Sequence, residues 1–229
     1  MAATRPSNPL ALAVLVLLGE RPMHPYEMSS TLRERRKEDS IKLNYGSLYS
    51  VVESLQKRGL IEAAETVREG RRPERTTYAI TETGAQVMVD WLVELLSTPK
   101  KEFTQFEAAL SLAGALPPDQ VTELLGQRLR NLLYQQKSVE AMFEEARSVG
   151  LPQLFLIEAE FSAALLAAEI AFVEQLLAGL RTGSLGGFEI WQRMHELRGA
   201  GVPPEEVEAK LSVEFADDLA FAKHYEQGT

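Results

Sequence analysis

Cysteine is absent from the 229-residue sequence, so disulfide bonds and metal sites built from thiolates are excluded. The three histidines, His24, His195 and His224, are far apart and lack the spacing of metal ligands. The sequence also lacks a glycine-rich phosphate-binding loop and the sharp serine turn of hydrolases. We therefore expect no metal, no other cofactor and no catalytic residues, and we do not expect an enzyme.

A long apolar segment is also lacking near the start of the chain. The run over residues 10–18 is apolar throughout, but a helix needs about 20 such residues to span a bilayer. No cleavage pattern of small residues follows it, as one would in a signal peptide. We therefore expect a buried first helix, no contact with a membrane and a cytoplasmic protein, a location that the absence of cysteine also favours.

Positive charge is scarce only in the second part of the chain. The whole sequence has a net charge of −9, but residues 1–101 carry 15 basic and 13 acidic side chains. The rest of the sequence carries 9 basic and 20 acidic side chains. Such an asymmetry indicates two domains with different roles. We predict that they cover residues 1–98 and 99–229, the second with an extra helical tail from about residue 183.

Apolar spacing predicts three helices in the first domain, over residues 10–20, 26–37 and 45–58. Alternating apolar and polar residues then predict two short strands, over residues 60–67 and 76–80. Three helices followed by a two-stranded hairpin is the element order of a winged helix-turn-helix. In such a domain the third helix is the recognition helix, and the turn of the hairpin is the wing.

Two boundaries in this domain carry clear local signals. Lys57 and Arg58 are followed by Gly59, and basic side chains before a glycine are typical of a helix C-terminus. Thr83 is followed three residues later by Gln86. This capping-box pattern predicts that a further helix begins there.

The second domain is predicted to be almost wholly helical. Prolines that precede periodic apolar residues predict helices over residues 117–149 and 152–180. Two shorter helices are predicted in the tail, over residues 187–197 and 204–225.

The helix predicted over residues 152–180 is apolar on two faces, whereas a helix with one neighbour needs only one apolar face. One face would pack on the preceding helix and the other on a second copy of the chain, since two-fold dimers are the commonest assembly. The tail helices are the alternative cover for the second face. The predicted fold is therefore mainly α, with an N-terminal winged helix-turn-helix, a two-stranded β wing and an α-helical C-terminal dimerisation domain. The predicted dimer-interface residues are Leu154, Ile157, Phe161, Leu165, Phe172 and Leu176.

The start of the third predicted helix is suited to bind DNA. Its outward residues are small or form hydrogen bonds, and no acid occurs in it before Glu53. A helix N-terminus attracts phosphates through its free N–H groups and its dipole, and a basic wing can reach the backbone or the minor groove. The DNA-binding residues predicted in this way are Lys42, Asn44, Tyr45, Gly46, Ser47, Tyr49, Ser50, Arg71, Arg72 and Arg75.

Other interpretations of these residues stay open. A basic turn is often no more than a solvated loop, and Tyr45 or Tyr49 can simply pack against the domain. Winged helices also bind proteins, so the chain could be a winged-helix adaptor that does not bind DNA. The net charge of −9 favours the adaptor, while the acid-free helix start and the arginine-rich turn favour DNA.

Six short motifs occur in a fixed order along the first domain. They are PLAL at residues 9–12, HPYEM at 24–28, GSLY at 46–49, LQKRGLI at 55–61, RPER at 72–75 and YAIT at 78–81, the last with Gly84. In these motifs the sequence resembles the PadR family of transcriptional regulators. The resemblance is good over residues 8–95 and looser to about residue 182, so the tail lies outside it.

This resemblance implies a dimeric repressor of transcription that binds double-stranded DNA, with its third helix in the major groove and its wings beside it. It places Tyr26 near the DNA backbone, together with the tyrosines, glycine and serine of the third helix. The C-terminal helices would dimerise, which predicts a pseudo-palindromic operator with half-sites about one helical turn apart. Some relatives are released from DNA by small ligands held near the dimer interface, which implies a small-molecule effector.

Aromatic residues lie near the predicted junction of the two domains, at Trp91, Phe103 and Phe106. They could line a ligand pocket, but packing in a core is the commoner role of such side chains. The same choice applies to Trp191 in the tail.

Overall fold

The structure is a computed structural model that describes residues 8–42, 45–67 and 75–219. The chain separates into two compact units, Met1–Glu102 and Phe103–Thr229. Each unit has a hydrophobic core of its own.

The N-terminal unit has the element order of a winged helix, as the sequence predicted. Its two strands pair antiparallel, and a single turn of 3₁₀ helix precedes the third α-helix. The elements are α1 (Pro9–Glu20), α2 (Pro25–Glu34), the 3₁₀ turn (Lys37–Asp39), α3 (Tyr45–Lys57), β1 (Ile61–Val67), β2 (Arg75–Ile80) and α4 (Glu82–Ser97).

Helix α1 is the central element of this unit. The side chain of Asn8 caps it by accepting a hydrogen bond from the N–H of Leu10 at 3.0 Å, and Pro9 follows at the first helical position. Its leucines, valines and alanines are buried on nearly all sides. A helix of this kind needs neighbours all round, and α1 contacts α3, α4 and β2.

Helix α2 ends at Glu34, three residues before the predicted end. Arg36 has the left-handed backbone conformation, with φ at 52°, which breaks the regular hydrogen bonding of an α-helix. The chain then forms the 3₁₀ turn over Lys37–Asp39. The prediction of a continuous helix over residues 26–37 was therefore wrong at its C-terminal end.

Helix α4 begins at Glu82, and Thr81 is the one residue between it and β2, so the capping box predicted at Thr83 and Gln86 was wrong. The cap is Thr81, whose Oγ1 accepts a hydrogen bond from the N–H of Gly84 at 3.0 Å. The Thr81 hydroxyl also donates to the carbonyl of Gly59 at 2.8 Å, and its N–H donates to that of Leu60 at 3.1 Å. These contacts across the hairpin determine where the helix starts.

The hairpin is attached to the turn between α1 and α2. Met23 and Tyr78 exchange two backbone hydrogen bonds, at 3.1 and 3.0 Å, which the sequence analysis did not predict. Ile61 pairs with Ile80 at the base of the hairpin, and a bulge lies between Ala63 and Glu65. The base is thus held by a third stretch of chain, while the far end extends away from it.

Ser29 is the buried polar side chain of this core, with 0% of its surface exposed. Among the described residues its Oγ has no hydrogen-bond partner, and an unpaired buried hydroxyl costs about 1–3 kcal/mol. We expect the Ser29→Ala variant to be as stable as the original protein or up to about 2 kcal/mol more stable. Urea unfolding followed by circular dichroism measures this, with Ser30→Ala as the control, and a clear loss of stability in Ser29→Ala alone would contradict it.

The C-terminal unit is built around two long antiparallel helices that pack on each other. A short helix and a 3₁₀ turn precede them, and two shorter helices follow. The α-helices are α5 (Gln105–Ser111), α6 (Pro118–Ser148), α7 (Ile157–Thr182), α8 (Phe188–Gly199) and α9 (Pro204–Glu214), with 3₁₀ turns at Ala113–Ala115 and Gln153–Phe155.

The start of α7 differs from its prediction. The chain forms a 3₁₀ turn over Gln153–Phe155, and α7 begins at Ile157. The helix predicted from Pro152 is therefore two elements, and Leu154 belongs to the first of them. In the tail, α9 ends at Glu214, which is earlier than the predicted residue 225; residues 220–229 lie outside the described part.

The tail packs on the same unit. The indole of Trp191 donates a hydrogen bond to the carbonyl of Leu116 at 2.9 Å, and Nε2 of His195 lies 3.0 Å from the carbonyl of Gly114. Phe188 and Trp191 pack against the core of α6 and α7. Helices α8 and α9 also share a small core of their own, around Leu197.

Candidate nucleic-acid and dimer interfaces

The inward face of α3 determines which of its residues reach solvent. Leu48, Val52 and Leu55 are at most 2% exposed and lie in the core of the N-terminal unit. Because a helix has two faces, their burial turns Gly46 and Tyr49 outward, and Tyr49 is 46% exposed.

The outward start of α3 has no acidic side chain. Ser50 is exposed, and its hydroxyl donates to the carbonyl of Gly46 at 3.0 Å, so its proton is used within the helix. Ser47 is half-buried. Asn44 and the side chain of Tyr45 lie outside the described part of the chain.

Tyr26 projects from the first turn of α2 and is 60% exposed. The helix is capped by His24, whose Nδ1 accepts a hydrogen bond from the N–H of Tyr26 at 3.1 Å. The sequence did not predict this cap, because histidine is not among the usual capping residues. Lys42 is exposed shortly before α3.

The described part of the hairpin ends where Val67 pairs with Arg75, in the last position of the ladder. Residues 68–74, which include most of the predicted wing, lie outside the described part. Arg71, Arg72 and the side chain of Arg75 lie outside the described part.

Two pairs of opposite charge lie on the surface near α2. Arg35 binds both carboxylate oxygens of Glu20, at 2.5 and 2.7 Å, and Arg21 lies 2.5 Å from Glu27. The hydrogen bond from Arg35 lowers the pKa of Glu20, and the one from Arg21 lowers the pKa of Glu27. A carboxyl whose pKa is lower in the folded protein than in the unfolded chain stabilises the fold at pH values above its ordinary pKa. This contribution is lost as the pH falls through the lowered pKa.

These two ion pairs determine which arginines near α2 still contribute positive charge to the surface. Arg21 and Arg35 are neutralised by their partners, and a surface pair of this kind adds little stability. Of the basic residues closest to α3 in sequence, Lys42 precedes the helix, and Lys57 and Arg58 stand at its end, all three exposed. Positive charge therefore lies at both ends of the outward face.

Most of the predicted dimer face of α7 is exposed. Ile157 is 58% exposed, Phe161 65%, Leu165 57% and Phe172 48%. Leu154, in the 3₁₀ turn, is 72% exposed. These fractions are large for apolar side chains that lie side by side.

Leu176 differs from the other predicted dimer residues, because it is half-buried and packs against the core of the unit. Helix α8 of the tail contacts α6, Leu116 and Gly114, and the other face residues stay exposed within the described part of the chain.

The opposite face of α7 packs on α6. Ile170, Val173 and Leu177 are at most 7% exposed. Arg128 of α6 holds Glu169 of α7 through two nitrogens, at 2.6 and 2.5 Å. Its guanidinium also stacks on the ring of Phe106, 3.6 Å from the centroid.

A groove lies where α7 meets the turn that follows it. Phe172, Leu176 and Ala178 supply apolar lining from the helix, and Leu185 supplies it from the turn. Gln175, Thr182 and Ser184 add polar groups to the lining. The groove is therefore continuous with the exposed face, since Phe172 belongs to both.

The aromatic residues near the junction have different surroundings. Trp91 is 2% exposed in the N-terminal core, and Phe106 packs in the C-terminal one. Phe103 is 83% exposed.

Among the helices of the described residues, one, Ile157–Thr182, is long and apolar enough to cross a membrane by length and composition alone. This is weak evidence, because core and interface helices pass the same test. No group of three or more histidines and carboxylates within the described residues is placed to hold a metal ion.

The model of the transcriptional regulator PadR-like family matches residues 14–90 of this chain. These residues span the winged helix from α1 into α4. No curated protein sequence matches the chain significantly.

Solved structures of similar fold include regulators from two bacteria. Bacillus subtilis PadR in complex with operator DNA is 18% identical, with a TM-score of 0.60 over 76% of this chain and 99% of PadR. The complex of the same PadR with p-coumaric acid is 16% identical, with a TM-score of 0.60 over 75% and 98%. The Vibrio cholerae virulence activator AphA is 20% identical, with a TM-score of 0.50 over 76% and 98%. At these identities the structures show a shared fold.

Proposed function

We propose that this chain is a PadR-like transcriptional regulator, which binds a pseudo-palindromic operator as a cytoplasmic homodimer and represses transcription. The match of the family model to residues 14–90 supports the first part of this proposal. The observation that carries the proposal is the outward face of α3, which is polar, free of acid at its start and beside a hairpin wing. That is the geometry with which winged helices enter the major groove.

The proposed contacts divide into two kinds. Tyr26, Lys42 and the start of α3 would bind phosphates, which hold the domain in position. Ser47 and Asn44 would reach base edges, because short polar side chains near the N-terminus of a recognition helix can do so. The arginines at 71, 72 and 75 would bind the backbone or the minor groove beside the helix.

The net charge of −9 does not oppose this proposal, because the negative charge is concentrated in the C-terminal part of the sequence. Within the N-terminal unit, Glu20 and Glu27 are paired with arginines. At physiological salt, a charge more than about 8 Å away from the phosphates is largely screened. The local charge beside α3 therefore matters more than the total.

The proposed dimer is supported by the apolar face of α7. Phe161 and Phe172 on this helix are 65% and 48% exposed, and Phe155 in the 3₁₀ turn before it is 66% exposed. At roughly 200 Å² for each ring, they alone leave about 350 Å² of apolar surface uncovered. With the leucines and the isoleucine beside them, the face approaches the roughly 800 Å² that each partner buries in a standard interface. Helix α7 also carries Glu169, which is paired with Arg128 of α6, and a charged pair makes lipid a poor alternative.

A small-molecule effector is also part of the proposal. Bacillus subtilis PadR, which has the same fold, is known in complex with operator DNA and with p-coumaric acid. A ligand that prefers one spacing of the two winged helices would shift the population that binds DNA.

The test is a fluorescence-anisotropy titration of DNA from directly upstream of the gene, at several salt concentrations and with random competitor DNA. We expect binding that survives the competitor and falls steeply with salt, because phosphate contacts release counterions. A genome-wide selection of bound fragments finds the operator if that DNA does not contain it. If no DNA binds even at low salt, the proposal is wrong and the adaptor interpretation is favoured.

Variants of the interface give a sharper prediction. Lys42→Gln should weaken binding to all DNA sequences and reduce the slope of log K against log salt by about 0.9, the value for one phosphate contact. Lys210→Gln, on α9, is the matched control and should change neither. Ser47→Ala should change sequence preference rather than the salt slope. An unaltered slope in Lys42→Gln would remove this lysine from the DNA interface.

A further inference from the structure

The groove at the end of α7 is suited to hold apolar groups. Phe172 and Leu176 line it from the helix, and Leu185 lines it from the turn that follows. Its volume of about 520 Å³ is in the range of pockets that bury a compact ligand. Among the described lining residues none is charged, and three offer hydrogen bonds: Gln175, Thr182 and Ser184.

The second wall of the groove is held close to the helix. A Cβ on Gly179 would lie 3.6 Å from the Cβ of Leu185, so the turn packs directly on α7. Gly183 ends α7 in the left-handed conformation, with φ at 70°, and the chain reverses there. The N–H of Phe188, the first residue of α8, then donates to the carbonyl of Leu185 at 2.9 Å. The groove therefore lies beside the start of α8.

The tail leads the chain back to this point. Helices α8 and α9 are joined by the short turn over residues 200–203 and pack on each other, so they run antiparallel. Arg193 of α8 binds Glu214 of α9 at 3.0 Å, which fixes their register. Five residues separate Arg193 from Phe188 at the start of α8. The same number separates Glu214 from Leu219, so Leu219 comes about level with the start of α8, close to the groove.

Residues 220–229, which lie outside the described part, have the length and the side chains to occupy the groove. Ten extended residues reach up to about 33 Å, whereas residues 172–182 of α7 span only about 15 Å. The segment carries two large rings, Phe221 and Tyr225. The tyrosine hydroxyl suits a lining that is apolar with a few polar groups.

We propose that residues 220–229 fold back on their own subunit and place Phe221 and Tyr225 in the groove beside Leu185. A segment tethered next to its site binds at a high effective concentration. A second copy or a free ligand must instead lose its translational freedom on binding. The tail, which lies outside the family resemblance, would thus cover apolar surface that α7 leaves exposed. The inference depends neither on DNA binding nor on the homodimer, although the groove adjoins the proposed dimer face at Phe172.

Thiol labelling tests this inference, because the chain has no cysteine of its own. Ser184→Cys places an exposed, nearly isosteric thiol in the groove lining, and its reaction with a maleimide dye is timed in the full chain. Replacing Phe221 and Tyr225 with serine in that variant should raise the labelling rate about tenfold, which corresponds to about 1.4 kcal/mol. Equal rates in the two proteins overturn the inference, whether the thiol is open in both or covered in both by something else.

Two controls separate covering of the groove from other changes. Lys223→Ser with Glu226→Ser alters the same segment but keeps its rings, so the thiol at position 184 should label at the original rate. Ser148→Cys lies at the C-terminus of α6, at the end of the helix pair opposite the groove, and is exposed. Its labelling rate should not depend on the two rings. A rise at position 148 as large as that at 184 would indicate general loosening and would overturn the inference.

Cross-linking decides which copy supplies the segment. Ala222→Cys is combined with Ser184→Cys, treated with a short bismaleimide and analysed on a denaturing gel, with mass spectrometry of the monomer band. We expect a cross-link within one chain that is lost when Phe221 and Tyr225 are replaced with serine. Covalent dimer instead would place the segment in the groove of the partner and overturn the arrangement within one subunit, as would the absence of any cross-link. Neither experiment uses DNA, so their failure leaves the proposed function to its own test.

Discussion

Replacing Gly84 with alanine should destabilise the N-terminal unit by about 3–5 kcal/mol, the range of the most damaging single substitutions. Gly84 is buried in the first turn of α4. A Cβ at this position would lie 2.0 Å from the carbonyl oxygen of Leu60 and 2.9 Å from Cγ1 of Ile80. The oxygen belongs to the backbone, so it cannot move aside as the end of a side chain can.

The expected loss has two parts. To admit a methyl group, the start of α4 must move away from the base of the hairpin, and overpacking of this kind costs about 1–3 kcal/mol. The same movement breaks the hydrogen bond from Thr81 to Leu60, at 3.1 Å, and leaves buried polar atoms unpaired at a further cost of about 1–3 kcal/mol.

Urea unfolding monitored by circular dichroism measures this loss. Gly19→Ala is the matched control in the same unit, because the nearest atom to its Cβ would be Sδ of Met88 at 3.9 Å, an ordinary contact. In helix α1 that alanine should be neutral or stabilise by up to about 1 kcal/mol. Equal stability of Gly84→Ala and the original protein would show that the packing at the base of the hairpin is looser than described.

The second large effect is expected from Phe161→Glu, which should raise the dimer dissociation constant at least about 100-fold. Phe161 lies on the exposed face of α7, in the first half of the helix, and is 65% exposed, so the isolated subunit can fold with a glutamate there. In the proposed dimer, each glutamate would be buried against apolar side chains without a partner, which costs several kcal/mol.

Operator binding should fall along with dimerisation. Two linked winged helices bind two half-sites with a gain of about 10²–10⁴ over one, because the second contact is intramolecular. Phe161→Glu should therefore bind a full operator no more tightly than a half-site. Sedimentation equilibrium and anisotropy with both probes measure the two effects.

Val213→Glu, a change of the same kind at an exposed position of α9, is the control and should alter neither dimerisation nor operator binding. A Phe161→Glu protein that stays dimeric with unchanged affinity would move the interface elsewhere. Recovery of the original protein in the membrane fraction, and of Phe161→Glu in the soluble one, would assign this face to lipid.

The elements that could be predicted are those determined by neighbours in sequence. The all-round apolar character of α1 predicts a central helix, and the stripe at Leu48, Val52 and Leu55 predicts the buried face of α3. Proline at the start of α6 and glycine after α3 mark ends of helices because they restrict or free the backbone dihedrals. The outward face of α3 and the exposed face of α7 follow from the same periodicity.

What the sequence did not reveal depends on contacts between distant residues. Thr81 rather than Thr83 caps α4, because Thr81 is held by the carbonyls of Gly59 and Leu60 in the hairpin. The pairing of Met23 with Tyr78 joins segments more than fifty residues apart. Neither contact leaves a local pattern, since backbone hydrogen bonds place few demands on the side chains that make them.

The sequence by itself therefore determined the fold class, the order of the elements and the faces on which function is proposed, because amphipathic periodicity and chain-breaking residues act over a few positions. Only the tertiary structure decided the start of α7 at Ile157, the packing of Trp191 on Leu116 and the groove beside Leu185. Each of these features depends on the packing of two surfaces from different parts of the chain. The free energy of that packing depends on how well their shapes fit in three dimensions.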